Sequence, residues 1–230
     1  MVEHSEPSAP RTRSGPALRR RDVIGLGAIL AVTGVVLALV IPGGSGVKGP
    51  AGTVAAKLSV YAGLAVTPTK TAPPLLLRNY LGTPVNIASY RGKAVLVTFL
   101  YTHCPDVCPL IASHLHTALT QMSTAERARL QIIAVSVDPR GDTPSTVAQF
   151  LHDHEMTGGM QYLIGSARQL AATWAAWGIA TSPGGTSNPE LVAHSALIYG
   201  ISGHGRITVI YPASFQPSDI VHDASLLARA

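Results

Sequence analysis

Two apolar runs, KAVLVTFLYT at residues 93–102 and LQIIAVSVD at 130–138, constrain this chain more than any other feature. Both are continuous and rich in β-branched residues, the pattern of strands buried on both faces. Between them, Leu110, Ile111, Leu115, Leu119 and Met122 recur at helical spacing. A buried strand, a helix and a second buried strand imply a sheet covered by helices.

The rest of the chain extends this alternation. LLLRN and GTPVNIASYRG read as a hairpin, YLIGS as a short strand, and HSALIYGISGHGRITVIYP as two strands joined by a glycine turn. DTPSTVAQFLHDHE reads as a helix with Asp142 as N-cap and Pro144 in its first turn. SARQLAATWAAWGI reads as a helix capped by Ser166, SPGGTSNPE as a loop, and SFQPSDIVHDASLLARA as a last helix. The expected fold class is α/β, a central mixed sheet with helices on both faces. Aromatic residues make up only 5% of the chain, so the core must rest on Ala, Val, Leu and Ile. Trp174 and Trp177, at helical spacing, read as core.

Residues 23–41, VIGLGAILAVTGVVLALVI, carry no charge. As a helix this run is ~28 Å long, close to the hydrocarbon thickness of a bilayer. Arg19, Arg20 and Arg21 precede it directly. The expectation is a single transmembrane anchor, with residues 1–22 a cytoplasmic tail and the bulk of the chain extracytoplasmic. A cleaved signal peptide is the rival; its apolar core is usually shorter, and no clear A-x-A site follows Ile41. Residues 42–72, rich in Gly, Pro, Thr and Ala, read as a linker with little fixed structure. The stretch VAAKLSVYAGLAV within them is left unassigned. The domain is expected over 73–230. Net charge is +5, with five Arg against three acids in residues 1–22 and no basic run beyond, so nothing suggests a nucleic-acid partner.

The chain has two cysteines, Cys104 and Cys108. They follow a buried strand where a helix begins, the usual place for chemistry in α/β sheets. A helix N-terminus stabilises a thiolate, which is both nucleophile and metal ligand. If both residues are helical, their Cβ atoms lie ~5–6 Å apart, against ~3.8 Å for a disulfide. That separation leans toward a metal clip, with a disulfide reachable if the first turn relaxes. Pro105 is expected at the first helical position and Pro109 within the first turn. Two buried thiols acting as small hydrophobes are the bland alternative. Two sulfurs suit Cu(I) or Zn(II), and a histidine is the natural third ligand.

Of nine histidines, His4 lies in the tail. His103 should point away from a site made by residues 104 and 108. His114, His116, His152, His154, His204 and His222 read as solvated or packed. His194 follows the Gly/Pro loop and begins HSALIYGI; on its own residues it remains an open candidate. Asp106 reads as a helix N-terminal acid and Asp138 as a loop-positioning residue.

Three motifs together resemble the Sco/SenC family of copper-site assembly proteins. YTHCPDVCP (101–109) is similar to its C-P-D-V-C-P signature. SVDPRGDTP (136–144) resembles its S-V-D-P-x-x-D-T-P stretch, and VAHSALIYGISGHG (192–205) its His-Ser region. The resemblance covers roughly 73–227. It implies a thioredoxin-like fold tethered to a membrane and a copper ion held by Cys104, Cys108 and His194. It also implies copper delivery to, or thiol reduction at, the dinuclear copper site of cytochrome c oxidase subunit II. The chain departs from the family in carrying Ala193 where many members have Asp, which removes a carboxylate that could orient His194. It also carries SGHG in place of an acidic turn.

The competing reading is a thiol-disulfide oxidoreductase using Cys104 and Cys108 as a redox pair, with a possible disulfide. Such enzymes usually carry C-x-x-C and a cis-proline where this chain has His194, which favours copper over catalysis. A peroxiredoxin is a third option, but Tyr101-Thr102-His103 replace its usual Pro and Thr before the cysteine.

Overall fold

The computed structural model describes residues 59–182, 193–194 and 196–230. The tail at 1–22, the apolar run at 23–41 and most of the linker lie outside the described residues. Among the described residues no helix is long and apolar enough to cross a membrane.

Three strands come first, β1 (Leu64–Thr71), β2 (Leu76–Asn79) and β3 (Pro84–Asn86), the last followed by a short 3-10 turn. Then come β4 (Ala94–Leu100), α1 (Val107–Gln121), α2 (Thr124–Ala128), β5 (Leu130–Ser136) and α3 (Pro144–Asp153). β6 (Gln161–Ile164), α4 (Ala167–Trp177), β7 (Thr181–Ser182) and β8 (Ala193–His194) follow. β9 (Leu197–Ile201), β10 (Arg206–Pro212) and α5 (Pro217–Arg229) complete the chain.

Eight strands form one mixed sheet in the order β1-β10-β9-β4-β5-β6-β2-β3. β4, β5 and β6 run parallel, and β9 is antiparallel to β4. Every residue of β4 is buried, so both faces of the sheet are covered there. α1 and α5 pack together, and the His114 ring nitrogen Nδ1 lies 2.9 Å from the Phe215 carbonyl oxygen between them. Trp177 of α4 packs on Phe99 and Tyr199, with ring centroids 5.9 and 5.6 Å away. Ser166 caps α4 as expected.

Strand registers fix which features share an end of the sheet. Thr98 faces Ile198, Pro212 faces Leu197 and Leu64 faces Ile210. The end of β4, the start of β9, the end of β10 and the chain approaching β1 therefore lie at one end. Lys70, Lys93 and Arg206 lie at the other, with the turn between β9 and β10.

Four expectations change. Residues 64–71, assigned to the linker, form β1 on β10, so the sheet starts before residue 73. This strand lies at the sheet edge and is largely exposed, so it carries no apolar alternation to betray it. Asp142 is not the N-cap of α3. Thr143 is, because Pro144 takes the first helical position and the cap must precede it directly. α1 begins at Val107 with Asp106 as N-cap, so Cys104 and Pro105 stand before the helix. His194 does not begin β9. It sits in the two-residue β8, paired with Thr181 of β7, and β9 starts at Leu197.

Candidate metal centre

β4 delivers the chain into a tight loop. Tyr101 is buried, and the Cys104 amide donates to the Tyr101 carbonyl at 3.4 Å. Asp106 accepts from the Val107 amide and starts α1. Cys104 is only 6% exposed and Cys108 is fully buried. Both are thiols rather than a disulfide.

The two sulfurs are unequal. The Cys108 amide donates to Cys104 Sγ at 3.3 Å, and the Cys108 thiol hydrogen-bonds to the same sulfur. That thiol lowers the Cys104 pKa to about 6 against the pull of burial, with backbone donors at Asp106 and Cys108 assisting. The same hydrogen bond, then burial, pushes the Cys108 pKa far up. At neutral pH the pair therefore holds one proton and one negative charge. Because Cys104 precedes the helix, the pair is not held at the separation of two helical residues. Both a metal clip and a disulfide are open to it.

The loop is braced from beneath by a residue that sequence reading misplaced. Asp142 is 5% exposed. Its carboxylate accepts from the Thr102 amide at 2.8 Å and from the Tyr162 hydroxyl at 2.9 Å. Burial pushes its pKa up, and hydrogen bonds from Ser136, Thr102 and Tyr162 oppose the shift. The signal that could have found it was Pro144, which makes Thr143 the cap and frees Asp142 to turn inward. Asp138 holds its own loop: its side chain accepts from the Arg140 amide at 3.1 Å and its carbonyl from the Asp142 amide at 3.0 Å. Gly141 lies against this carboxylate; a Cβ there would meet Asp138 Oδ2 at 2.2 Å and His103 Nδ1 at 3.0 Å. His103 itself is exposed. An open groove lined by Thr102, His103, Pro109, Phe150 and His154 runs beside the loop.

His194 is described by its backbone alone. It lies three positions before β9, whose start adjoins the end of β4; its side chain lies outside what is described. Two other histidines have partners away from the cysteine loop. His116 Nδ1 lies 3.1 Å from the Glu155 carbonyl oxygen, and His222 Nδ1 lies 2.7 Å from Asp223 Oδ1. Among the described residues no group of three His, Cys, Asp or Glu side chains gathers as a metal cage. The donors present, a thiolate and a thiol, are soft and fit Cu(I).

A mixed sheet whose central strand runs into a dithiol at a helix N-terminus defines a thioredoxin-like protein. Comparison with known proteins narrows the class. The model of the SCO1/SenC family matches residues 66–228, and the chain belongs to that family. It is 33% identical over 128 residues to the mitochondrial SCO2 homolog of Bos taurus, covering 54% of this chain and 47% of that protein. It is 24% identical over 139 residues to the SCO1 homolog of Bacillus subtilis, covering 60% and 72%. The chain spans about half the length of the mitochondrial relatives it matches, 47% in Bos taurus and 44% for SCO2 of Saccharomyces cerevisiae. Among solved structures, apo Sco1 of Thermus thermophilus aligns with TM-score 0.63 at 25% identity, covering 74% of this chain and 99% of that one. Copper-bound ScoI of Bradyrhizobium japonicum aligns with TM-score 0.58 at 26% identity, covering 68% and 99%.

Proposed function

We propose that this protein carries copper as cargo in the assembly of cytochrome c oxidase, holding Cu(I) with Cys104, Cys108 and His194. The observation that carries the reading is the unequal pair: a thiolate ready to bind a soft cation beside a thiol that loses its proton on binding. Family membership and the copper-bound relative from Bradyrhizobium japonicum support the metal. That His194 lies three positions before β9, whose start adjoins the end of β4, supports the third ligand. The recipient is the dinuclear copper site of subunit II. Residues 23–41 anchor the chain in the cell membrane, with the domain on the extracytoplasmic side.

The chain's own residues do three things in this scheme. The Cys104 thiolate captures the ion, Cys108 closes the clip and releases a proton, and Asp142 keeps the loop that presents Cys104 in place. The test is anaerobic titration of the reduced protein with Cu(I) against a competing chelator. One ion per chain, with affinity lost in Cys104→Ser and sharply weakened in His194→Ala, is the expected result. Unchanged affinity in His194→Ala removes that residue from the site.

The same asymmetry favours a second reading, reduction of a partner disulfide. The Cys104 thiolate attacks one partner sulfur, forming a mixed disulfide and releasing the other as a thiolate. Cys108 then gives up its proton to that leaving group and attacks Cys104 Sγ, breaking the mixed disulfide and releasing the partner sulfur held there. Two electrons pass to the partner, and Cys104 and Cys108 end as a disulfide. Stoichiometric reduction of a subunit II disulfide peptide without copper distinguishes this reading.

A further inference from the structure

The end of the sheet farthest from Cys104 gathers positive charge. Lys70, Lys93 and Arg206 lie there by strand register. Arg129 joins them because Ala94 faces Leu130 where β4 and β5 start. Arg229 joins them because the Gly203 amide donates to the Leu227 carbonyl at 2.8 Å, which brings the end of α5 to the β9–β10 turn. The Arg91 guanidinium donates to the His204 carbonyl in the same turn. These are six of the ten lysines and arginines among the described residues. All but Lys93 are exposed. Among the described residues none of them forms an ion pair, since the three pairs present all involve histidine. The acid in these segments, Glu126, turns its carboxylate to the Ser123 amide at 2.8 Å and hydroxyl at 2.7 Å. A cation on an edge strand guards it against pairing with another chain, which accounts for Lys70, and Arg206 serves the same strand by donating to Thr69 Oγ1 at 2.7 Å. Neither reason covers Arg91, Lys93, Arg129 and Arg229, which flank central strands and a helix.

A cavity of about 220 Å³ opens among these charges, lined by Pro73, Ile87, Tyr90, Val95 and Ile201 together with the exposed Arg91. Val95 and Ile201 are buried core residues, so its floor is apolar. Gly205 also lines it, at φ 71°, and a Cβ there would collide with the Arg91 guanidinium. The bare turn thus lets that guanidinium lie across it. A cavity of ~150 Å³ holds a benzene ring, so this one has room for one aromatic or branched side chain. We propose that this end of the sheet is a docking site for an acidic segment of a partner protein, with one apolar side chain in the cavity and flanking carboxylates held by Arg91 and its neighbouring cations. The planar fork of arginine pairs a carboxylate through two hydrogen bonds at once. A lipid headgroup layer or a nucleic-acid backbone would meet the charge and leave an apolar cavity of side-chain size empty. The site lies the length of β4, roughly 20 Å, from the cysteine loop, so a partner held here leaves the dithiol free for another.

The test titrates the full chain, in micelles of a neutral detergent, with the peptide acetyl-Glu-Glu-Phe-Glu-Glu-amide and follows the backbone amide shifts. Saturable binding that perturbs residues 87–95 and 201–206 is expected, weakening as ionic strength rises from about 0.01 to about 0.15 M. Arg91→Gln should weaken binding about 10-fold, the loss of a charge-assisted hydrogen bond. A peptide with Ala in place of Phe should also bind about 10-fold more weakly, because no ring fills the cavity. Arg140→Gln, in the loop after β5, should change nothing. Absence of saturable binding, or perturbation centred on other residues, overturns the proposal. Equal binding of the Ala peptide, or equal binding by Arg91→Gln, overturns it too, since attraction between opposite charges alone would give that result. Stronger, Arg91-dependent perturbation of the same residues by a short DNA duplex, or by phosphatidylglycerol added to the micelles, assigns the face to those polyanions and overturns it as well. None of these readouts involves copper, so they stand apart from the metal-binding test.

Discussion

The amide of Cys108 donates to the sulfur of Cys104 across a single turn, at 3.3 Å. The Cys108 thiol bonds to the same sulfur, and chiefly through that bond Cys104 becomes the acidic member of the pair while Cys108 stays protonated. Alkylation of the reduced protein should modify Cys104 first, with a rate that rises through a midpoint near pH 6, while Cys108 stays inert at neutral pH. Mass spectrometry of iodoacetamide-treated protein checks this; a midpoint above pH 8 contradicts it.

The same shift has a stability consequence with a definite sign. The folded pKa of Cys104, about 6, lies below the ordinary value of 9.0. Its ionisation therefore stabilises the fold fully above that ordinary value, and the contribution is lost as pH falls through about 6. Cys104→Ser should be most destabilising near pH 9 and least near pH 5, as urea unfolding at the two pH values would show.

Asp142 should behave in the opposite sense. Burial raises its pKa, so its charge costs stability at neutral pH, and the cost fades on acidification. Asp142→Ala leaves the Thr102 amide and the Tyr162 hydroxyl without an acceptor and should cost about 1–3 kcal/mol. Asp142→Asn keeps the shape and should cost less. Relative to Asp142→Asn, the unsubstituted protein should gain stability as pH falls from neutral toward the ordinary carboxylate value of 3.8. A flat difference across that range would count against a buried charge.

Trp177 tests how the helix after β6 is held. Its ring fills the space against Phe99 and Tyr199, and its indole nitrogen donates to the Pro74 carbonyl at 3.4 Å. Trp177→Ala should cost about 3–5 kcal/mol through the cavity it leaves, read from the denaturation midpoint.

Ala193 offers a gain of function. The resemblance to the family's His-Ser region implies Asp at this position, where a carboxylate would orient the adjacent imidazole. Ala193→Asp should raise Cu(I) affinity by about 10-fold if His194 is a ligand. No change in the chelator competition would separate the two residues.

Sequence alone determined the strand-helix alternation, because a strand buried on both faces must be continuously apolar and β4 and β5 are. It located the cysteine pair at the end of β4 and the cap at Ser166, both written in a few adjacent residues. What it could not supply were relationships between residues far apart in the chain. β1 is an exposed edge strand whose pairing comes from β10, so nothing in its own residues marked it. Asp142 and Asp223 look like helix-flanking or helix-surface acids in one dimension. Only the folded chain brings the Thr102 amide, 40 positions away, to the first and the Ala62 amide, 161 positions away, to the second. A buried carboxylate is defined by its donors, and the tertiary structure decides which donors arrive.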